Sequence, residues 1–423
     1  MYRRRVLVIG LFLAACGESS LVAPDTSAGE IPSPSAPQGT SAASVAVPST
    51  IEEVEITTTT VAVDPRVEAI EGAFAALGPR QRLAQLIVAG FPGTSADETI
   101  VQLNSSEGIG GFIYFAANVT NGPAVTSLNQ QLACLQSGVE PWIAVDQEPG
   151  NVARLSGVLP DQPTPAELGA AVTSGEMTTA DIEALGRAQG EGLAGLGFSI
   201  DLAPVADVAR VDVESGIDDP SRIFGADPAL VGELAAAYVT GLESAGVAAV
   251  TKHFPGIGAV PGNPDEELPT IDVPLEDWVA TDRPPFQAAI AAGTTGVMVT
   301  GVLLPALDAD LPVEFSPTAI GDVLRGDLGF QGLVVTDDLQ SAGIATAYTT
   351  AEAALAAAQA GADIILFADG GQVALVLDTL EASLTSGGLD AAVVDTAVRR
   401  VLEAKYDILG PDAFDAEARC GTA

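Results

Sequence analysis

Positive charge is what this 423-residue chain lacks most. It has two lysines, Lys252 and Lys405, and one histidine, His253; its 17 Lys plus Arg face 56 Asp plus Glu, for a formal net charge of −39. A surface of that sign repels nucleic acid and anionic lipid, which excludes polyanion partners. Solubility in a salty exterior explains the acidity without any cationic partner. With one histidine and three cysteines there is no His/Cys/carboxylate set at zinc spacing, so no metal centre is expected. A Gly-x-Ser-x-Gly elbow and a Walker loop are also missing, which leaves serine hydrolysis and nucleotide binding without a signal. No organic cofactor is implied.

Long apolar runs are equally scarce, and after residue 15 none is long enough to cross a membrane. The opening "MYRRRVLVIGLFLAACGESS" has the basic start and short apolar stretch of a signal peptide. Its Leu13-Ala14-Ala15-Cys16 resembles a bacterial lipobox. The expectation is a signal over 1–15, lipidation at Cys16 and a disordered, Ser/Thr/Pro-rich tether over 16–63, with the protein exported and anchored to the outer face of the cytoplasmic membrane. An ordinary cleaved signal, giving a secreted protein, is the alternative. Two cysteines remain, Cys134 and Cys420, and in an oxidising compartment they can pair, tying the C-terminal tail to the helix after the second strand. A monomer is expected.

What the chain has in quantity is short Val/Ile/Phe-rich runs alternating with Ala/Leu/Glu segments of helical spacing. Eight such runs, over 85–91, 110–116, 141–148, 197–208, 247–254, 295–302, 332–339 and 362–369, predict a parallel (β/α)8 TIM barrel over 64–423. An open doubly wound sheet is disfavoured because no glycine-rich phosphate turn follows the first run. Barrel active sites use the C-terminal ends of the strands. Those ends carry Asp146-Gln147-Glu148, Asp207, Lys252-His253 and Asp337-Asp338. Carboxylates around a cup with one Lys-His pair suit a sugar, whose hydroxyls both donate and accept. An ionised Asp beneath C1 can stabilise an oxocarbenium-like transition state or attack it.

The segments "VDQEPG", "APVADV", "RIFGADP", "VTKHFPG" and "GLVVTDDL", in this order, closely resemble glycoside hydrolase family 3, specifically its single-domain bacterial β-N-acetylglucosaminidases. The resemblance spans roughly residues 66 to 410, including "AVRRVLEAKYDILG". It implies that Asp337 is the nucleophile, that Asp146 binds sugar hydroxyls, and that Arg222, Lys252 and His253 complete the subsite for the non-reducing sugar. Asp338 is expected to cap the following helix.

The departures concern the acid/base. Members of this subfamily carry a loop G-H-G-D-T-x-x-D-S-H-x-G-L-P whose second Asp and last His form the proton-transfer dyad. Here the loop reads "GIGAVPGNPDEELP": Ile257 replaces the first His, Asn263 the dyad Asp, and Asp265 the dyad His. The family's Arg after the strand-three glycines is Asn151, although Arg154 remains, and its strand-six "TAH" is Thr300-Gly301-Val302. Two expectations stand side by side. In one, the chain is an exo-acting retaining β-glycosidase of cell-wall amino sugars, with a loop carboxylate, Asp265 first and otherwise Glu266 or Glu267, as proton donor. In the other, it is a degenerate sugar-binding lipoprotein whose "PDEE" run is a solvated acidic loop. β-Glucosides stay open as substrates. Two-domain members of the family take their acid from a second domain, a route that would here need a partner.

Overall fold

The computed structural model describes residues 64–136, 138–210 and 219–421. Cys16, the signal segment and the tether over 16–63 lie outside them. Eight parallel strands run in chain order: β1 (Ile87–Gly90), β2 (Gly111–Tyr114), β3 (Trp142–Val145), β4 (Ile200–Asp201), β5 (Ala248–Phe254), β6 (Gly296–Val299), β7 (Leu333–Thr336) and β8 (Ile365–Phe367). Neighbours in sequence are neighbours in the sheet, β8 pairs with β1, and a bridge between Val335 and Ile364 joins β7 to β8. This is the expected TIM (β/α)8 barrel. Every strand residue is buried, as strands covered by helices outside and by each other inside must be.

Each strand lies inside one of the eight expected runs and is shorter than it, most of all β4. The reason is Pro204, which has no N–H to give to the ladder. Past Asp201 the chain still runs beside β5, where Val250 N–H donates to Ala203 O at 3.1 Å and Lys252 N–H to Pro204 O at 3.0 Å.

The helices begin where short polar side chains satisfy their free N–H groups. Thr164, Thr178 and Thr349 each form a capping box with the acid three residues on, Glu167, Asp181 and Glu352. The last long helix, Ala391–Leu409, closes the barrel floor. Its Lys405 is fully buried and donates to Gln85 Oε1 at 3.0 Å, Gly110 O at 2.9 Å and Glu140 O at 2.6 Å, three groups that precede β1, β2 and β3. The expected disulfide is present: Cys134, which ends helix Gly122–Cys134 after β2, is bonded to Cys420 across a separation of 286 residues. Arg419 reinforces it by donating to Ala133 O at 2.8 Å and Gln136 O at 3.0 Å. Among the described residues no helix is long and apolar enough to cross a membrane, and no cluster of side chains has the make-up of a metal site.

Candidate active site

The polar strand ends converge on one cavity of about 560 Å³ at the C-terminal mouth. It is lined by Asp146, Glu148, Arg154, Arg222, Lys252, His253, Asp265 and Asp337, among others. The expected nucleophile, Asp337, the loop acid Asp265 and the expected sugar-binding residues Asp146, Arg154, Arg222, Lys252 and His253 all line it.

At its base is an ion-pair network centred on Glu148. Arg222 grips this carboxylate with Nε at 2.8 Å from one oxygen and a terminal nitrogen at 2.7 Å from the other, and Lys252 Nζ lies 2.7 Å from it. Lys252 also donates to Asp146 Oδ1 at 2.6 Å, while Arg154 lies 3.8 Å from the other Asp146 oxygen. Burial opposes ionisation of Glu148 most strongly, yet Lys252 and Arg222 together outweigh it and hold the carboxyl at about 2. The ammonium of Lys252, equally buried, is kept charged by Asp146 and Glu148. Of the two carboxylates in the network, Asp146 is the one with an exposed edge, 14% against 0% for Glu148, which leaves it able to meet a ligand.

Lys252 and His253 reach the mouth because the β5–β6 register slips between Thr251 and Phe254, a bulge of the kind that re-aims side chains beside active sites. His253 Nδ1 is 2.8 Å from Asp207 Oδ2, and Asp207 Oδ1 accepts the N–H of Ile257 at 2.8 Å. A fully buried carboxylate that already accepts from the backbone acts as acceptor here too, so Nδ1 carries the hydrogen. Asp207 thus orients His253 and does not line the cavity.

On the opposite wall Asp337 has both carboxylate oxygens directed. Thr300 Oγ1 donates to one at 2.6 Å and the N–H of Asp338 to the other at 2.9 Å. The expectation for Asp338 needs correction. Helix Ala342–Ala345 starts from Ser341, and Asp338 Oδ1 accepts instead from Gln340 N–H at 3.0 Å and Ala368 N–H at 3.1 Å. It therefore pins a turn to the end of β8, because the chain takes two more residues before it can wind into a helix.

The departed loop packs against this same wall. The N–H of Ala342 donates to Asp265 O at 2.8 Å, and a Cβ at Gly343 would meet Glu267 O at 2.3 Å and Pro264 O at 2.6 Å, so only glycine admits the loop there. Asn263 Oδ1 accepts the N–H of Asp265 at 3.0 Å, and Asn263 O accepts those of Glu266 and Glu267, each at 3.0 Å. The turn that Asn263 builds presents Asp265 to the cavity; Glu266 and Glu267 are exposed and do not line it.

Sequence reasoning gave no role to two carboxyl groups. One is Glu148. The other is Glu314, fully buried against Gly301 with neither oxygen hydrogen-bonded. Burial, with Asp337 and Asp338 as its charged neighbours, pushes it well above the ordinary glutamate range. Its signal in the sequence is a lone acid between Val313 and Phe315 in "LPVEFSP". A group that binds its proton more tightly when folded contributes stability that is fully present below its unfolded value, 4.5, and is lost as pH rises through the folded value. Glu314→Gln, neutral at every pH, is expected to flatten the alkaline fall of Tm; parallel Tm–pH curves for the two proteins would refute this.

The glycosyl hydrolase family 3 N terminal domain model matches residues 80–404. The beta-hexosaminidase LpqI of Mycobacterium tuberculosis is 35% identical over 341 residues, 78% of this chain and 84% of that protein. A beta-N-acetylhexosaminidase structure from Beutenbergia cavernae superposes with a TM-score of 0.72 at 33% identity, over 78% of this chain and 99% of that one. A glycoside hydrolase family 3 beta-N-acetylglucosaminidase structure from Paenibacillus gives a TM-score of 0.73 at 32% identity over 79% of this chain, which spans 63% of that longer protein. Barrel, matched residues and relatives agree: the chain belongs to glycosyl hydrolase family 3.

Proposed function

We propose that this family 3 glycosidase is an exo-acting, retaining β-N-acetylhexosaminidase of cell-wall-derived amino sugars, with Asp337 as nucleophile and Asp265 as acid/base. The observation that carries the proposal is that Asp337 and Asp265 line one cavity together with Asp146, Arg154, Arg222, Lys252 and His253. The sugar class rests on the relatives named beta-hexosaminidase. Asp146 and the cations behind it bind the hydroxyls of the terminal sugar. Asp337 attacks C1 as Asp265 protonates the departing oxygen, giving a glycosyl ester; Asp265 then takes a proton from water, which attacks C1 and frees Asp337. Glu148 supplies no atom to this chemistry. It keeps Arg222 and Lys252 charged and in place.

The proposal includes a single catalytic unit over 64–423, carried as an exported monomer on a lipid at Cys16 and a tether over 16–63. The competing reading, a sugar-binding lipoprotein without turnover, is favoured by one observation, the replacement of the dyad by Asn263 and Asp265.

A panel of nitrophenyl β-glycosides, beside direct binding of the free sugars, separates the two. Release from the N-acetylglucosaminide above the glucoside is expected; binding of the sugar with no release from any of them establishes the receptor. Asp146→Asn is expected to weaken sugar binding roughly tenfold to a hundredfold, the cost of about 1.5–3 kcal/mol for losing a charged hydrogen-bond partner. Unchanged affinity would remove Asp146 from the subsite.

A further inference from the structure

On the outer wall of the barrel, at the end opposite the C-terminal mouth, is a cavity of about 330 Å³. It lies between helix Thr318–Asp327, the C-terminal end of helix Thr350–Ala360 and the closing helix Ala391–Leu409. Ile320, Ala360, Val393 and Ala397 supply apolar lining, and Arg325 and Arg400 line it too. Arg325 donates to Gly332 O at 3.0 Å, just before β7, and both arginines meet Asp363, two residues before β8. The cavity therefore sits at the N-terminal ends of these strands.

Helix Thr318–Asp327 is wound as a π-helix, and just past it Leu328 N–H reaches Val323 O, five residues back, at 2.9 Å. At the α-helical spacing of about 100° per residue, Ile320 and Arg325 would point about 140° apart. The wider winding brings residues five apart toward one face, and both line the cavity. π turns are rare and are frequent at functional sites.

The charge here is the reverse of the protein's. In a chain with 56 acids against 17 Lys plus Arg, no acid lines this cavity among the described residues. Asp363, fully buried, is shared by both arginines: Arg325 bonds one oxygen, and Arg400 the other at 3.2 Å. Two guanidiniums on one carboxylate leave an excess of one positive charge. Arg325 also donates to Phe330 O and Gly332 O, whereas the bond to Asp363 is the only one Arg400 makes among the described residues. Nε and the second terminal nitrogen of Arg400 are thus free, and at 24% exposure against 13% its side chain is the more open of the two.

We infer that this cavity binds a small aliphatic carboxylate, with the acid group on the free edge of Arg400 and the tail in the groove between the π-helix and the closing helix. The planar guanidinium fork matches the two oxygens of a carboxylate, and the apolar walls give a tail what a bare inorganic anion cannot use. At about 30 Å³ per non-hydrogen atom, the volume admits roughly ten such atoms, the size of an eight-carbon acid. No residue lines both this cavity and the catalytic one, so the inference stands apart from the glycosidase proposal.

The test is calorimetric titration of the protein with octanoate, beside octanol, octylammonium and acetate. A dissociation constant of about 1 mM or tighter is expected for octanoate, with the other three at least about tenfold weaker. Octylammonium is the sharpest comparison, because a net charge of −39 attracts it over the rest of the surface. Arg400→Gln is expected to bring octanoate down to the level of octanol. Gly321 lines the cavity and a Cβ there meets nothing within 4 Å, so Gly321→Leu is expected to fill the groove and abolish binding with Tm unchanged. Octanoate bound no better than octanol or octylammonium would overturn the assignment, as would acetate matching octanoate, which would mean an anion site without a tail groove. Undiminished binding to Gly321→Leu would overturn it as well, and that variant decides the matter even if Arg400→Gln fails to fold.

Discussion

Asp337→Asn is expected to lower turnover of every glycoside by more than about 10⁴-fold, and Asp265→Ala to do so selectively. A nucleophile is needed whatever leaves. A general acid matters only where the leaving oxygen is a poor leaving group, and there it is worth roughly 10²–10⁴-fold. Asp265→Ala should therefore lose that factor on a disaccharide and keep most of its activity on a nitrophenyl glycoside. Asp265 is proposed over its neighbours because it lines the cavity with Asp337 whereas Glu266 and Glu267 do not. If Asp265→Ala equals the parent enzyme on a disaccharide, the proton comes from elsewhere. If Asp337→Asn still cleaves a nitrophenyl glycoside, Asp337 is not the nucleophile.

The second large effect is on the fold. Glu148→Gln leaves the buried Lys252 and the partly buried Arg222 without the carboxylate that compensates them, and removing one partner from such a network costs about 3–5 kcal/mol. The pKa gives a similar size by an independent route. A carboxyl held at about 2 against 4.5 unfolded contributes about 3 kcal/mol at neutral pH. Because the folded value is depressed, that contribution is present above 4.5 and is lost as pH falls toward 2. Urea unfolding should show the variant weaker by about 3 kcal/mol at pH 7, with the gap closing in acid. A variant as stable as the parent at pH 7 would mean that Asp146 alone compensates both cations.

These three residues also mark how far the sequence could be read. The eight strands were legible because each is a short β-branched run between helical segments, and the mouth was legible because acids and the Lys-His pair follow those runs directly. Asp337 and Asp146 sit in such positions. Glu148 does too, but its importance lies in Arg222, 74 residues away, and pairing across a barrel leaves no local pattern. The same holds for Asp207, whose work is to orient His253, 46 residues on. Asp338 was misplaced as a helix cap because the two-residue turn before Ser341 depends on the end of β8, which adjacency in sequence does not reveal. Among the three loop acids Asp265 stands first already in the sequence, because it takes the place of the dyad His, and its position on the cavity wall supports that order.

Both lysines are now accounted for: Lys252 at the mouth and Lys405 at the floor, neither more than 2% exposed. The native barrel thus presents no lysine amine to its surroundings. Acetylation, ubiquitin-like conjugation and amine-directed cross-linking have no side-chain target on the folded surface, and proteases specific for basic residues must work at arginine. An ε-amine becomes reactive only when the mouth or the floor comes apart, which turns ordinary amine chemistry into a reporter of where the barrel opens first.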